Sequence, residues 1–142
     1  MPRLPRTVPS LPQIGWKEDV RLPNMQSLLM VAKIDTGARS SALHAKNIST
    51  IGRRVEFQIG AKHYEMRLAG AKRIKSSNGQ SQVRPVIETE VMVGEFRFTV
   101  AITLTDRGDM EIPMLLGREA IKGRFLVNAA KTFTLSRKSR VK

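Results

Sequence analysis

An aspartate, a threonine and a glycine stand in a row where an apolar run ends. The run is LLMVAKI, residues 28–34, and the three residues after it are Asp35, Thr36 and Gly37. Glycine permits a sharp turn that directs backbone N–H groups at the carboxylate, and threonine offers a short hydroxyl to fix the loop. Two carboxylates held close together share one proton, because neighbouring like charges do not both ionise. Such a pair activates water and protonates a carbonyl oxygen, which is the chemistry of amide hydrolysis. The same three residues would also form an ordinary β-turn with no chemistry.

Alternating apolar and polar residues predict that strands position this turn. One alternation runs on both sides of Gly60 and predicts a hairpin; its apolar members are Val55, Phe57, Ile59, Tyr64, Met66 and Leu68. Asn78-Gly79 predicts the turn of a second hairpin, and the longest alternation runs over residues 96–104. A helix is predicted only at residues 118–122, after Gly117. These patterns predict an all-β fold, a barrel or a sandwich, with one short helix.

The net charge is the outlying bulk property. The chain has 142 residues, enough for one domain, and its 25 Lys and Arg against 12 Asp and Glu give a formal charge of +13. Such a charge attracts nucleic acid, a ribosome, an anionic membrane or acidic peptides, or it only keeps the chain in solution. No apolar stretch approaches the roughly 20 residues of a membrane span. The N-terminus lacks the apolar stretch typical of a signal peptide, and the chain has no cysteine, so we expect a cytoplasmic protein without disulfides.

The ends of the chain differ in composition from its middle. Residues 1–12 contain four prolines and two arginines and predict an extended arm. Residues 136–142, SRKSRVK, predict a frayed basic tail. The folded domain is therefore predicted at residues 13–135.

Several chemistries are excluded by missing motifs. The sequence has no GxxxxGK[ST], GxGxxG, HExxH or GxSxG pattern. The two histidines, His44 and His63, lie in different segments, so we predict no metal site and no cofactor. Aromatic residues make up 5% of the chain and do not alternate with the basic ones. A stacking platform for single-stranded nucleic acid is therefore not favoured.

A second motif carries a resemblance to a known family. Residues 112–121, IPMLLGREAI, place an apolar strand before Gly-Arg and a short helix. Together with the Asp-Thr-Gly-Ala loop, this resembles the two signatures of retropepsin-like aspartic peptidases. The stretch IKSSNGQSQVRPV, residues 74–86, stands where those enzymes carry their flap hairpin. The segments IGWKEDVRLP, KIDTGARSSALHA and MLLGREAIKGRFLV are also similar to a bacterial family labelled ATP-dependent zinc proteases. The residues themselves support neither ATP nor zinc.

The resemblance implies a closed retropepsin-like β-barrel that binds and cleaves a peptide or protein. It implies that the catalytic residues are Asp35, Thr36 and Gly37, and that Asp35 lies beside the strand end at residues 115–117. It implies that the substrate-binding residues are Ala38, Arg39, Ser77, Gly79 and Arg118. Because the chain has one Asp-Thr-Gly motif, half of a dyad, a working site would need a homodimer with Asp35 from each copy.

Arg39 departs from the family pattern, in which an acid usually follows Asp-Thr-Gly-Ala. Arg39 and Arg118 predict a cleft for acidic, glutamate-rich peptides, unless each only pairs with a surface acid such as Glu119. Three functions stay open at this point. The chain is a homodimeric aspartic endopeptidase, a retropepsin-like binding module without catalysis, or a basic protein associated with RNA or the ribosome.

Overall fold

Strands make up most of the structure. The computed structural model describes residues 11–75, 78–106 and 111–137, and within these it has twelve strands and one helix. Strands β1 to β6 are Gln13–Gly15, Lys17–Leu22, Leu28–Ile34, Ser41–His44, Lys46–Ile51 and Arg54–Ile59. Strands β7 to β12 are Lys62–Arg67, Gly70–Lys75, Ser81–Val93, Phe96–Thr105, Met114–Leu116 and Leu126–Asn128. The helix α1 is Arg118–Ile121, where the sequence predicts one over residues 118–122.

Six strands close into a barrel. Their order is β10, β4, β11, β3, β2 and β9, and the pairing of β9 with β10 completes the ring. Strand β11 lies between two partners, since it runs parallel to β3 and antiparallel to β4. The prediction of a closed β-barrel with one short helix is confirmed.

Both predicted hairpins are present. In the β6–β7 hairpin Phe57 is paired with Tyr64, and their stacked rings lie 5.7 Å apart. Strand β8 pairs with the first half of β9 and projects from the barrel beyond its closed ring. This second hairpin includes the turn residues Asn78 and Gly79, and the Gln80 N–H donates to Asn78 Oδ1 at 3.2 Å. Ser77 lies outside the described residues.

Burial of alternate side chains explains why these segments are strands. Along β10, Val100, Ile102 and Leu104 are buried while Thr99 and Ala101 are exposed. A strand with one face on the core buries every second side chain in this way. No helix of the described residues is long and apolar enough to span a bilayer.

A two-stranded parallel sheet joins the two ends of the described chain. In it, β1 pairs with β12, and Gln13 lies opposite Leu126. Pro12, assigned to the arm, already accepts a hydrogen bond from the Leu126 N–H at 3.0 Å. The residue that follows β1 is Trp16, whose carbonyl oxygen accepts from the Ile34 N–H at 2.7 Å. The small sheet therefore adjoins the end of β3, directly before Asp35.

A buried carboxylate anchors the last described residues; we call Glu18 and residues 134–137 the C-terminal clasp. Glu18 has no exposed surface. Its Oε2 accepts from the N–H groups of Gly15 at 2.7 Å, Thr134 at 2.9 Å and Leu135 at 3.2 Å. Its Oε1 accepts from the N–H of Leu135 at 3.2 Å, and from the N–H and hydroxyl of Ser136 at 3.0 and 2.7 Å. These donors satisfy a charge-bearing group whose burial would otherwise be costly.

The clasp includes the first two residues of the predicted basic tail. Ser136 is tied to Glu18, and the guanidinium of Arg137 donates two hydrogen bonds to Asp19, at 2.6 and 2.9 Å. The hydrogen bond to Asp19 raises the pKa of Arg137 above its usual value. Bidentate pairing of this kind orders a side chain that composition alone marks as solvated. The rest of the predicted tail, residues 138–142, and most of the arm, residues 1–10, lie outside the described residues.

Candidate active site

Asp35 lies at the end of β3, beside the end of β11. The two strands are parallel, with Ile34 opposite Leu116. The Asp35 N–H donates to the Leu116 carbonyl oxygen at 2.9 Å, which extends the ladder by one residue. The predicted placement of Asp35 next to residues 115–117 is confirmed. The carboxylate therefore lies where strand β3 ends and the loop that leads to β4 begins.

The loop after Asp35 holds one of its two carboxylate oxygens. The Gly37 N–H donates to Asp35 Oδ1 at 2.9 Å, and the Ala38 N–H donates to the Asp35 carbonyl at 3.2 Å. The carboxylate is half-buried, and its Oδ2 accepts no hydrogen bond from the described part of the chain. One oxygen is thus oriented, and the other can meet a water or a second carboxylate.

Thr36 is fixed through its backbone instead of its hydroxyl. Its carbonyl oxygen accepts from a guanidinium nitrogen of Arg118 at 3.0 Å. The side chain is exposed, and its hydroxyl forms no hydrogen bond with any described residue. Arg118, which was predicted to bind substrate, therefore braces the loop that carries Asp35.

The start of helix α1 is bonded to the same loop. The N–H of Arg118 donates to the Ala38 carbonyl at 2.7 Å, and the N–H of Glu119 donates to the Arg39 carbonyl at 3.1 Å. The first N–H groups of a helix have no partner inside it. Here the residues after Asp35 supply those partners, which joins the two sequence motifs into one unit.

Gly117 brings the motifs into close contact. Its N–H donates to the hydroxyl of the buried Ser41 at 3.0 Å. A Cβ at this position would lie 2.5 Å from the Ser40 carbonyl oxygen and 2.9 Å from that of Ala38. Because both neighbours are backbone atoms, no side-chain rotation can make room. Glycine is needed here for space, since its φ of −90° suits any residue.

We expect Gly117→Ala to lower the free energy of unfolding by about 1–3 kcal/mol, the usual cost of overpacking. Thermal unfolding monitored by circular dichroism measures it. Gly70→Ala is the matched control, because Gly70 lies in a strand with nothing within 4 Å of the added Cβ. Equal midpoints for the two variants would show that the loop yields without cost.

Arg39 forms an exposed ion pair. Its Nε lies 3.6 Å from Glu119 Oε2, and the two side chains are 75% and 65% exposed. Solvated pairs of this kind contribute little to stability. The structure therefore shows Arg39 beside the surface acid that the sequence offered as its local partner, at the rim of the Asp35 loop.

The flap hairpin reaches this loop through a residue that the sequence reasoning missed. Gly79, predicted to bind substrate, has a φ of +88° and open space around it. It is Lys72 on β8 that contacts the loop, since its ammonium donates to the hydroxyl of Ser40. Period-two spacing from the half-buried Ile74 would have placed Lys72 on the inner face of the hairpin.

The two histidines lie in different parts of the fold. His44 lies at the end of β4, and His63 lies on β7 opposite Gln58. The described residues contain no group of three or more potential metal ligands among His, Cys, Asp and Glu. The predicted lack of a metal site stays a prediction.

Comparison with known proteins points to one family. The model of a family described as RimB-like, retropepsin-like aspartic endopeptidase RimB, matches residues 13–138. A solved structure of a Legionella pneumophila protein of unknown function (DUF785) superposes with a TM-score of 0.75 at 32% identity. The match covers 87% of this chain and 98% of that protein.

Curated relatives are longer and carry another name. A probable alpha-L-glutamate ligase of Shewanella pealeana is 34% identical over 88% of this chain and 30% of its own length. One of Shewanella halifaxensis is 32% identical over 90% of this chain and 31% of its own length. The chain thus spans less than a third of these relatives.

Proposed function

The chain belongs to the RimB-like family of retropepsin-like aspartic endopeptidases, and we propose on this premise that it hydrolyses peptide bonds with Asp35. The observation that carries the proposal is the held carboxylate at the end of β3. Its Oδ1 accepts from the Gly37 N–H at 2.9 Å, and its loop is braced by Arg118. The catalytic unit is Asp35 with Thr36 and Gly37, whose turn orients the acid.

The reaction needs two such carboxylates and no cofactor. The ionised one takes a proton from water while the water oxygen bonds to the carbonyl carbon of the peptide. The protonated one gives its proton to the carbonyl oxygen, and a tetrahedral diol forms. Collapse of the diol breaks the C–N bond: the protonated carboxylate gives its proton to the nitrogen, and the ionised one takes a proton from a diol hydroxyl, which restores the dyad. The products are a carboxylic acid and an amine.

The second carboxylate is proposed to come from a second copy of the chain. The Asp-Thr-Gly motif occurs once in the sequence. A chain that carries half of a dyad completes its site when two copies meet on a two-fold axis.

Activity per chain is expected to fall on dilution, because the proposed site exists only in the dimer. The measurement is the initial rate of peptide cleavage over a dilution series, with the mass of the particle determined by analytical ultracentrifugation at the same concentrations. The rate and the dimer fraction should fall together. A constant specific activity in solutions that contain only monomer would contradict the dimeric dyad.

We propose acidic, glutamate-rich peptides as the substrate class. The formal charge of +13 favours anionic ligands, and two arginines, Arg39 and Arg118, lie in or beside the Asp35 loop. The names of the curated relatives refer to glutamate ligation. The test compares cleavage of glutamate-rich and glutamine-rich peptides of equal length, from acid to neutral pH. Cleavage of neither peptide would favour a binding module without catalysis.

Polyanion binding is the second candidate, and the same charge favours it. If RNA or a ribosome is the partner, affinity should fall steeply with salt, since phosphate contacts release counterions. We place the protein in the cytoplasm in either case, which suits a chain without cysteine.

A further inference from the structure

The part of the β8–β9 hairpin in which the two strands pair carries positive charge and no acid among its described residues. Over residues 70–75 and 78–87 it has four cations and no aspartate or glutamate; they are Lys72, Arg73, Lys75 and Arg84. Neighbouring segments do contain acids, such as Glu88 farther along β9. The hairpin therefore presents a positive surface next to the Asp35 loop.

Lys72 is the cation on this hairpin that contacts the loop. Its side chain is half-buried, and its ammonium donates to the hydroxyl of Ser40, five residues after Asp35. None of the ion pairs among the described residues includes Lys72. An ammonium has three N–H donors, and the contact with Ser40 uses one. Two donors are left beside the candidate site.

The strand register gives Lys72 an unfavourable neighbour. Lys72 lies directly opposite Arg84 on the same face of the hairpin, and like charges in that position destabilise a sheet. The Nε of Arg84 donates to Gln82 Oε1 at 2.9 Å. A carboxylate bound at this face of the hairpin would meet the positive potential of both side chains.

We propose that Lys72 is a specificity-determining residue, which binds a side-chain carboxylate of the peptide between the hairpin and the Asp35 loop. The proposal rests on the proposed function and assigns its acid preference to one position. The loop arginines are already engaged, since Arg39 faces Glu119 and Arg118 donates to the Thr36 carbonyl. Lys72 has contact with the loop and donors to spare.

The test measures binding, so that it does not depend on turnover. An Asp35→Asn protein is titrated with fluorescein-labelled tetraglutamate and tetraglutamine peptides, both capped at their ends. We expect tetraglutamate to bind more tightly, and Lys72→Met in the same background to reduce that preference about 10-fold, the usual loss for one charged hydrogen bond. Arg73→Met is the matched control, because Arg73 is exposed and lies on the opposite face one residue away. It removes the same charge and should leave most of the preference.

Each result decides the inference. Equal loss of preference in both variants would assign the effect to overall charge and overturn the role of Lys72, as would equal affinity of the Asp35→Asn protein for the two peptides. Thermal unfolding of both variants confirms that the proteins compared are folded at the temperature of the titration. If preference depends on Lys72 while the wild-type protein cleaves neither peptide, the carboxylate site stands and the endopeptidase function fails.

Discussion

Asp35→Asn is expected to abolish peptide hydrolysis while the fold stays intact. The amide oxygen can still accept from the Gly37 N–H, the bond that Oδ1 makes at 2.9 Å, so the turn keeps its shape. An amide can neither take a proton from water nor share one with a partner carboxylate. General acid–base assistance is typically worth about 10²–10⁴-fold, and here both the acid and the base are lost.

The measurement is the rate of cleavage of a glutamate-rich peptide by both proteins, with circular dichroism to confirm folding. Glu88→Gln is the control, because it changes an exposed carboxylate on β9 in the same isosteric way. Unchanged cleavage by Asp35→Asn would end the aspartic-peptidase proposal.

Glu18→Gln is expected to cost about 3 kcal/mol of stability, because it takes an acceptor away from buried N–H donors. Every group that contacts the two carboxylate oxygens is a donor. Whichever way the glutamine amide turns, its NH₂ group meets N–H groups that have lost their acceptor. Buried donors without partners cost about 1–3 kcal/mol each, and breaking a buried charged network costs about 3–5 kcal/mol.

Chemical and thermal unfolding measure this loss, with a drop in the melting midpoint of roughly 10 °C for a chain of this size. Glu56→Gln is the control, since Glu56 is exposed on β6. We expect that control to change the midpoint by less than the error of the fit. A Glu18→Gln protein as stable as the wild type would show that the clasp adds nothing to stability.

The alternation of apolar and polar residues predicts the strands because each strand buries its own alternate side chains. The alternation around Gly60 records which side chains of β6 and β7 face the core, and a hairpin needs no distant partner to set its register. The site was predictable for another reason. The Asp-Thr-Gly and Leu-Leu-Gly-Arg motifs are far apart in sequence, and only the family resemblance placed them side by side.

Contacts between distant residues without a motif could not be predicted. The hydrogen bonds that Thr134 and Ser136 donate to Glu18 correspond to no motif in the sequence around these residues. Likewise, the sequence around Lys72 does not show whether its ammonium contacts Ser40 or water. β1 and β12 are three residues each, too short for any periodicity to show. The basic composition of residues 136–142 therefore suggests a solvated tail, whereas tertiary contacts with Glu18 and Asp19 hold Ser136 and Arg137.

The clasp also bears on how the chain folds. Its hydrogen bonds join residues 116 to 118 positions apart, so the loop that must close before they form is nearly the whole domain. Closing so long a loop is entropically costly and slows folding. Before these bonds form, Glu18 is hydrated like any exposed carboxylate. We therefore expect the clasp to form late in folding, after the hairpins whose partners are close in sequence.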